Sequence, residues 1–210
     1  MKKLLISLTV VVAMLCSMGG MVYAEEAKGL LNQLGGAEFV PGSVPAQISQ
    51  VESMVPPVNA MVMCMVEQDL DYDETSRVFL WNSLYYMISL CGEMDSRAEF
   101  TDETMILPTE AVEDYAAALF ADYHGLPELP RDLEERVSYD PQQDCYHLAR
   151  GDAGLCEAVI EEVQTWENGG LEVTGALVSL EDGSVLCRFT ADLLENNLMF
   201  GYAIADMRVY

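Results

Sequence analysis

The amino-acid sequence predicts an α+β fold, with N-terminal helices packed on one face of a curved C-terminal antiparallel sheet of four to five strands. Three observations carry that prediction. Val78, Trp81, Leu84, Tyr85, Ile88 and Cys91 recur at the three- and four-residue spacings of an amphipathic helix, and Gly92 follows as a stop. Asn168-Gly169 and Asp182-Gly183 each interrupt apolar runs with residues that tolerate positive φ, the signal of a tight hairpin. Val185, Cys187, Phe189, Ala191 and Leu193 alternate with Arg188, Thr190 and Asp192, so one strand face is apolar and needs a cover. The helices of the first half are the elements able to cover it.

The elements follow in chain order. Lys2 and Lys3 precede the apolar run Leu4 to Leu15, and Val22 and Ala24 are the small residues a signal peptidase reads, so residues 1–24 are expected to be a removed export signal. That run is short of the ~20 apolar residues a membrane-spanning helix needs. Cys16 follows Met14 and Leu15, which is poor context for lipidation. Residues 25–57, with LGG, VPGSVP and MVPP, read as an extended or poorly ordered arm closing at Pro56-Pro57. A single α+β domain then spans 58–210.

Met and Ala content favours a buried helix over about 58–68, and the periodicity above places a second over about 74–91. A third, over about 108–121, starts at a proline; it turns Val112, Tyr115, Ala116, Leu119 and Phe120 inward and Glu110, Glu113 and Asp114 to water. The motif LPELP breaks this pattern, and a short turn is expected at RDLEER. A short strand near 144–148 precedes four long ones at about 157–167, 171–181, 184–194 and 199–209, the last pair joined by a turn at Glu195-Asn196-Asn197. Phe200, Tyr202 and Ile204 continue the apolar face.

Composition removes several functions. The chain has 35 Asp and Glu against 10 Lys and Arg, and loss of the leader with Lys2 and Lys3 would leave a formal charge of -27. Such a surface is soluble but repels phosphates, so nucleic acid is excluded as a partner, and an anionic membrane surface is disfavoured for the same reason. An apolar content of 51% is far above that of a wholly disordered chain.

The helix ending in YAAALFADY, the proline-bounded LPELP and the closing FGYAIADMRVY resemble secreted domains of unknown function from Gram-positive gut bacteria. The order of helix and then meander is also similar to the NTF2-like or cystatin-like cone. Those resemblances cover residues 75–210 and imply a fold that hosts both enzymes and inert binding modules; they bring no catalytic residues with them.

In DLDYDETSRVFL, Asp69, Asp71 and Asp73 occupy the first, third and fifth places of a calcium loop. The sixth place is Glu74 where the loop turn needs Gly, the ninth is Arg77, and the twelfth is Leu80 where a bidentate Glu belongs. The competing reading, that Asp73 or Thr75 caps the next helix, fits better. Cys145 and Cys156 lie symmetrically about ARGDAG, so as a hairpin they would face each other as a disulfide candidate, the alternative being two reduced thiols. Five cysteines follow the leader, an odd number that leaves at least one free or bonded to another molecule. Cys145 and His147 share a strand face, but no CxxC or HExxH spacing supports a metal and no flanking motif supports a nucleophile. His124 sits at a helix end, where a cation suits the dipole. Trp81, Tyr85 and Tyr86 invite a ligand-stacking reading; at helical spacing Trp81 and Tyr85 are expected in the core, with Tyr86 at its edge.

These observations favour an exported, acidic, non-catalytic module that binds an extracellular protein or glycan, without a cofactor. The alternatives are a small extracellular enzyme with a pocket between helices and sheet, or a weak calcium-binding module built on Asp69, Asp71 and Asp73.

Overall fold

The computed structural model describes residues 46–151, 154–166 and 169–210. The expected export leader, residues 25–45 of the expected arm, and Asn168 of the first hairpin lie outside them. Helices α1 (Ala46–Gln50), α2 (Val55–Gln68), α3 (Arg77–Cys91) and α4 (Thr109–Leu119) combine with two antiparallel four-stranded sheets, an α+β fold as the sequence implies.

Residues 46–57 are not an arm. A 3₁₀ turn at Glu52–Met54 links α1 to α2, and Val51, Met54 and Val58 are fully buried. Their spacing of three and four residues is a helical stripe, and the entropy of ordering it is offset by burying three large apolar side chains. Pro56 and Pro57 begin α2 rather than end an arm, because the first helical turn has no use for the missing N–H. Helix α2 is the centre of the molecule, with every residue from Pro57 to Met65 buried. It ends where Asp69 adopts a left-handed conformation (φ 52°) and its N–H bonds back to the Met65 carbonyl.

Helix α3 starts at Ser76, whose hydroxyl accepts the Phe79 N–H at 3.3 Å. The cap is therefore neither Asp73 nor Thr75. Asp73 instead closes a tight turn one step earlier by accepting from the Thr75 N–H and hydroxyl at 3.0 and 2.6 Å. Helices α2 and α3 pack closely enough for the buried Ser83 hydroxyl to donate to the Met61 sulfur at 3.2 Å. In α4, Ala111, Val112, Tyr115, Ala116 and Leu119 face inward and Glu110, Glu113 and Asp114 face water, as the period required.

The first sheet has strand order β1 (Glu99–Phe100), β2 (Thr104–Pro108), β4 (Cys145–Ala149), β3 (Val137–Asp140). The second is the meander β5 (Cys156–Thr165), β6 (Leu171–Ser179), β7 (Val185–Glu195), β8 (Tyr202–Val209). The four long strands lie within a few residues of expectation. The short strand does not join them, since β2 and β3 occupy both of its edges and leave no hydrogen-bonding side for β5.

Bulges refine the alternation in the meander. An irregularity after Leu177 leaves Leu186 without a cross-strand partner and reverses the parity beyond it, so Val185 points to water at 52% exposure instead of joining Cys187 and Phe189. A second at Ala205 turns Met207 inward and leaves Asp206 and Arg208 outside, 3.5 Å apart. Gly175 lets β5, β6 and the Phe189 ring approach: a Cβ there would stand 2.1 Å from the Val159 carbonyl oxygen. Both edges of the meander are engaged by segments outside it. Asn59 of α2 accepts the Ala158 N–H of β5 at 2.9 Å, and the carbonyl of Ile204 in β8 accepts from the Ala121 N–H and the Tyr72 hydroxyl. The inner face, including Val173, Phe189, Ala191, Leu193 and Ile204, is fully buried in one core with α2, α3 and α4.

Candidate functional site

A cleft of about 300 Å³ opens where α2 and α3 meet the entry to β3 and the connection from β4 to β5. Consecutive residues of α3, Tyr85 and Tyr86, form its aromatic wall, their rings 6.1 Å apart and nearly perpendicular at 85°. Tyr85 donates to the Ala149 carbonyl at 3.3 Å. Tyr86 donates to Glu67 at 2.5 Å and accepts from the Gln68 amide at 3.1 Å, which ties the end of α2 to α3. Burial, reinforced by the Glu67 carboxylate, pushes the Tyr86 phenol up to about 12, so it remains a neutral donor.

Arg136 completes the cleft. Its guanidinium lies over the Tyr85 ring, 5.7 Å from the centroid. Arg77, Arg97, Arg150, Arg188 and Arg208 each have a carboxylate within 4.0 Å; among the described residues Arg131 and Arg136 have none, and of these two Arg136 lines the cleft. The half-buried hydroxyl of Ser89 lies beside Gly151, and Met63 and Leu90 add apolar surface.

The cleft thus combines aromatic faces, a guanidinium, a carboxylate, an amide and two apolar side chains, which is the equipment of a recognition site for a small polar molecule. A second cleft of about 320 Å³, between Phe120, Tyr123, Leu194 and Leu198, is mostly apolar and carries no cation.

The other expected sites fare differently. Asp69, Asp71 and Asp73 do not converge: Asp69 terminates α2, Asp73 is held by Thr75, and no group of three or more His, Cys, Asp or Glu is placed to hold a metal ion among the described residues. Cys145 and Cys156 are both free thiols. Their expected bridge presupposed a hairpin, and the two residues instead belong to different sheets because β4 is already paired on both sides. The Cys145 sulfur lies 3.6 Å from His147 Nε2. Burial and the nearby carboxylates of Asp140, Asp144 and Glu99 hold its thiol above the usual range, the reverse of what activates a nucleophile. Trp81 is core, with its indole N–H donating to the Pro127 carbonyl at 3.0 Å. Tyr85, expected beside it, is only half-buried and faces the cleft. His124 is exposed, 3.3 Å from Asp122 beyond the end of α4. Glu67, Gln68, Ser89 and Arg136 carry no sequence signal for a site; the tyrosine pair was the visible part of it.

No family model, curated protein or solved structure matches the chain. No helix among the described residues is long and apolar enough to cross a membrane.

Proposed function

We propose that this protein is an exported, non-catalytic binding module, and that the cleft between α2, α3 and Arg136 is its recognition surface for an extracellular protein or glycan. The observation that carries the reading is the guanidinium of Arg136, held over Tyr85 without a carboxylate partner among the described residues, in a chain of net charge -25. An arginine that spends none of its N–H groups on a carboxylate keeps them for a guest. Export rests on the leader chemistry of residues 1–24, and the acidic balance suits a soluble exported domain. The helix preceding a four-stranded meander supports likeness to an NTF2-like or cystatin-like cone. A catalytic reading draws no support from the two clefts, whose walls lack histidine and cysteine.

Two experiments test the proposal. Mass analysis of the chain recovered from a secreting host is expected to begin at Glu25; recovery of the intact leader in the cell fraction would refute export. A thermal-shift screen of glycans and short peptides is expected to yield ligands whose stabilisation is lost in Arg136→Gln. Ligands that bind that variant unchanged would remove the cleft from the function.

A further inference from the structure

We infer that the cleft takes a small zwitterion of the amino-acid or dipeptide class, its carboxylate on Arg136 and its ammonium on Glu67. This rests on the reading of the cleft as the recognition surface and replaces its macromolecular guest with a small one. Arg136 and Glu67 line the same cleft but lie on different segments, Arg136 over Tyr85 and Glu67 on the Tyr86 hydroxyl. The two make no ion pair with each other, so opposite charges stand in one small space without neutralising one another. Glu67 spends one hydrogen bond on Tyr86, and a carboxylate has further lone pairs for an ammonium. The N–H fork of an arginine such as Arg136 matches a carboxylate in bidentate fashion, and the Ser89 hydroxyl makes no hydrogen bond among the described residues and is free to add a donor.

Charge then selects among ligand classes. The field of a chain at -25 repels a simple anion and draws a simple cation to any part of the surface. A zwitterion is indifferent to the net charge and is favoured only where a cation and an anion are both presented. Size narrows the choice further, because about 300 Å³ is at the lower end of ligand sites and suits one or two amino-acid residues. Met63 and Leu90 favour an apolar side chain on the guest.

The test is calorimetric titration of the full chain with leucine and leucyl-leucine, alongside leucyl-leucine that is N-acetylated or C-amidated. The free zwitterions are expected to bind, and each block, like Arg136→Gln and Glu67→Gln, is expected to weaken binding about tenfold, the value of one charged hydrogen-bonded contact. Equal affinity for blocked and free forms would overturn the inference, as would absence of heat at ~10 mM ligand with the wild-type chain. Both substitutions are on exposed side chains, and an unchanged urea midpoint verifies that each variant is folded. If neither zwitterion binds while another compound binds in an Arg136-dependent way, the ligand class fails and the cleft stands. If every bound compound ignores Arg136→Gln, both fail.

Discussion

Asn59 offers the sharpest test of how the meander is held to the helices. It is 9% exposed in the middle of an otherwise apolar α2, and its Oδ1 accepts the Ala158 N–H of edge strand β5 at 2.9 Å in a buried environment. Asn59→Leu preserves most of the side-chain volume and leaves that N–H without an acceptor and away from water. A buried donor so orphaned costs about 1–3 kcal/mol, of which added apolar burial by Leu returns ~1 kcal/mol. Asn59→Ala lacks this compensation, leaves a small void, and is expected to lose the full amount. For a domain of this size 1 kcal/mol moves Tm by about 2–4 °C, so the Ala variant should melt roughly 2–12 °C lower. Urea denaturation measures the global loss, and amide exchange at Ala158 measures the local one. That amide is expected to be protected in the wild type and to exchange faster than its β5 neighbours in both variants. An unchanged midpoint together with unchanged protection of Ala158 would refute the assignment of Asn59 as the clasp of the β5 edge.

Three further outcomes are expected. Gly175→Ala would place a Cβ 2.1 Å from the Val159 carbonyl oxygen and 2.6 Å from the Phe189 ring, and backbone cannot yield as a flexible side chain does; a loss on the order of 3 kcal/mol or failure to fold is expected in urea denaturation, and a near-neutral result would refute the close strand approach. Asp192 has a buried Oδ1 without a hydrogen bond, and desolvation, offset in part by Arg208 and reinforced by Asp206 and Glu172, raises its pKa. The folded form therefore holds this proton more tightly than the unfolded chain, so the stability from the site is present at acid pH and lost as pH rises through the folded-state pKa. Asp192→Asn should accordingly stabilise the protein near pH 7 by about 1 kcal/mol and give no gain at acid pH, read as urea midpoints across pH; a loss at neutral pH would refute the account. Finally, EDTA and ~5 mM calcium should leave Tm within about 1 °C, since Asp69, Asp71 and Asp73 do not converge; a rise of several degrees abolished by alanine at all three would reinstate the loop.

Only part of the candidate site was legible before folding. Trp81, Tyr85 and Tyr86 invite a stacking reading in the sequence, which places Tyr86 at the edge of the core and Tyr85, wrongly, inside it. Their partners were invisible, since Glu67 and Gln68 read as the polar end of a helix and Arg136 as one residue of the turn RDLEER. Arg136 is 50 residues from Tyr86, and its place depends on β3 running antiparallel to β4.

What the sequence determined by itself were the quantities set by local periodicity and turn chemistry. These are the existence of helices α3 and α4 and of the four long strands, because 3.6- and 2-residue repeats act within a few positions of the chain; α3 is buried on all sides from Phe79 to Leu84 rather than on one stripe. The tertiary structure decided everything that depends on which edges and faces are already taken. It drew 46–57 into the core because Val51 and Met54 found partners there. It also moved β4 into a second sheet, since β2 and β3 fill both its edges, and thereby separated Cys145 from Cys156. A hydrogen-bonding edge can be used once, and which strand uses it is settled by the whole chain competing for burial.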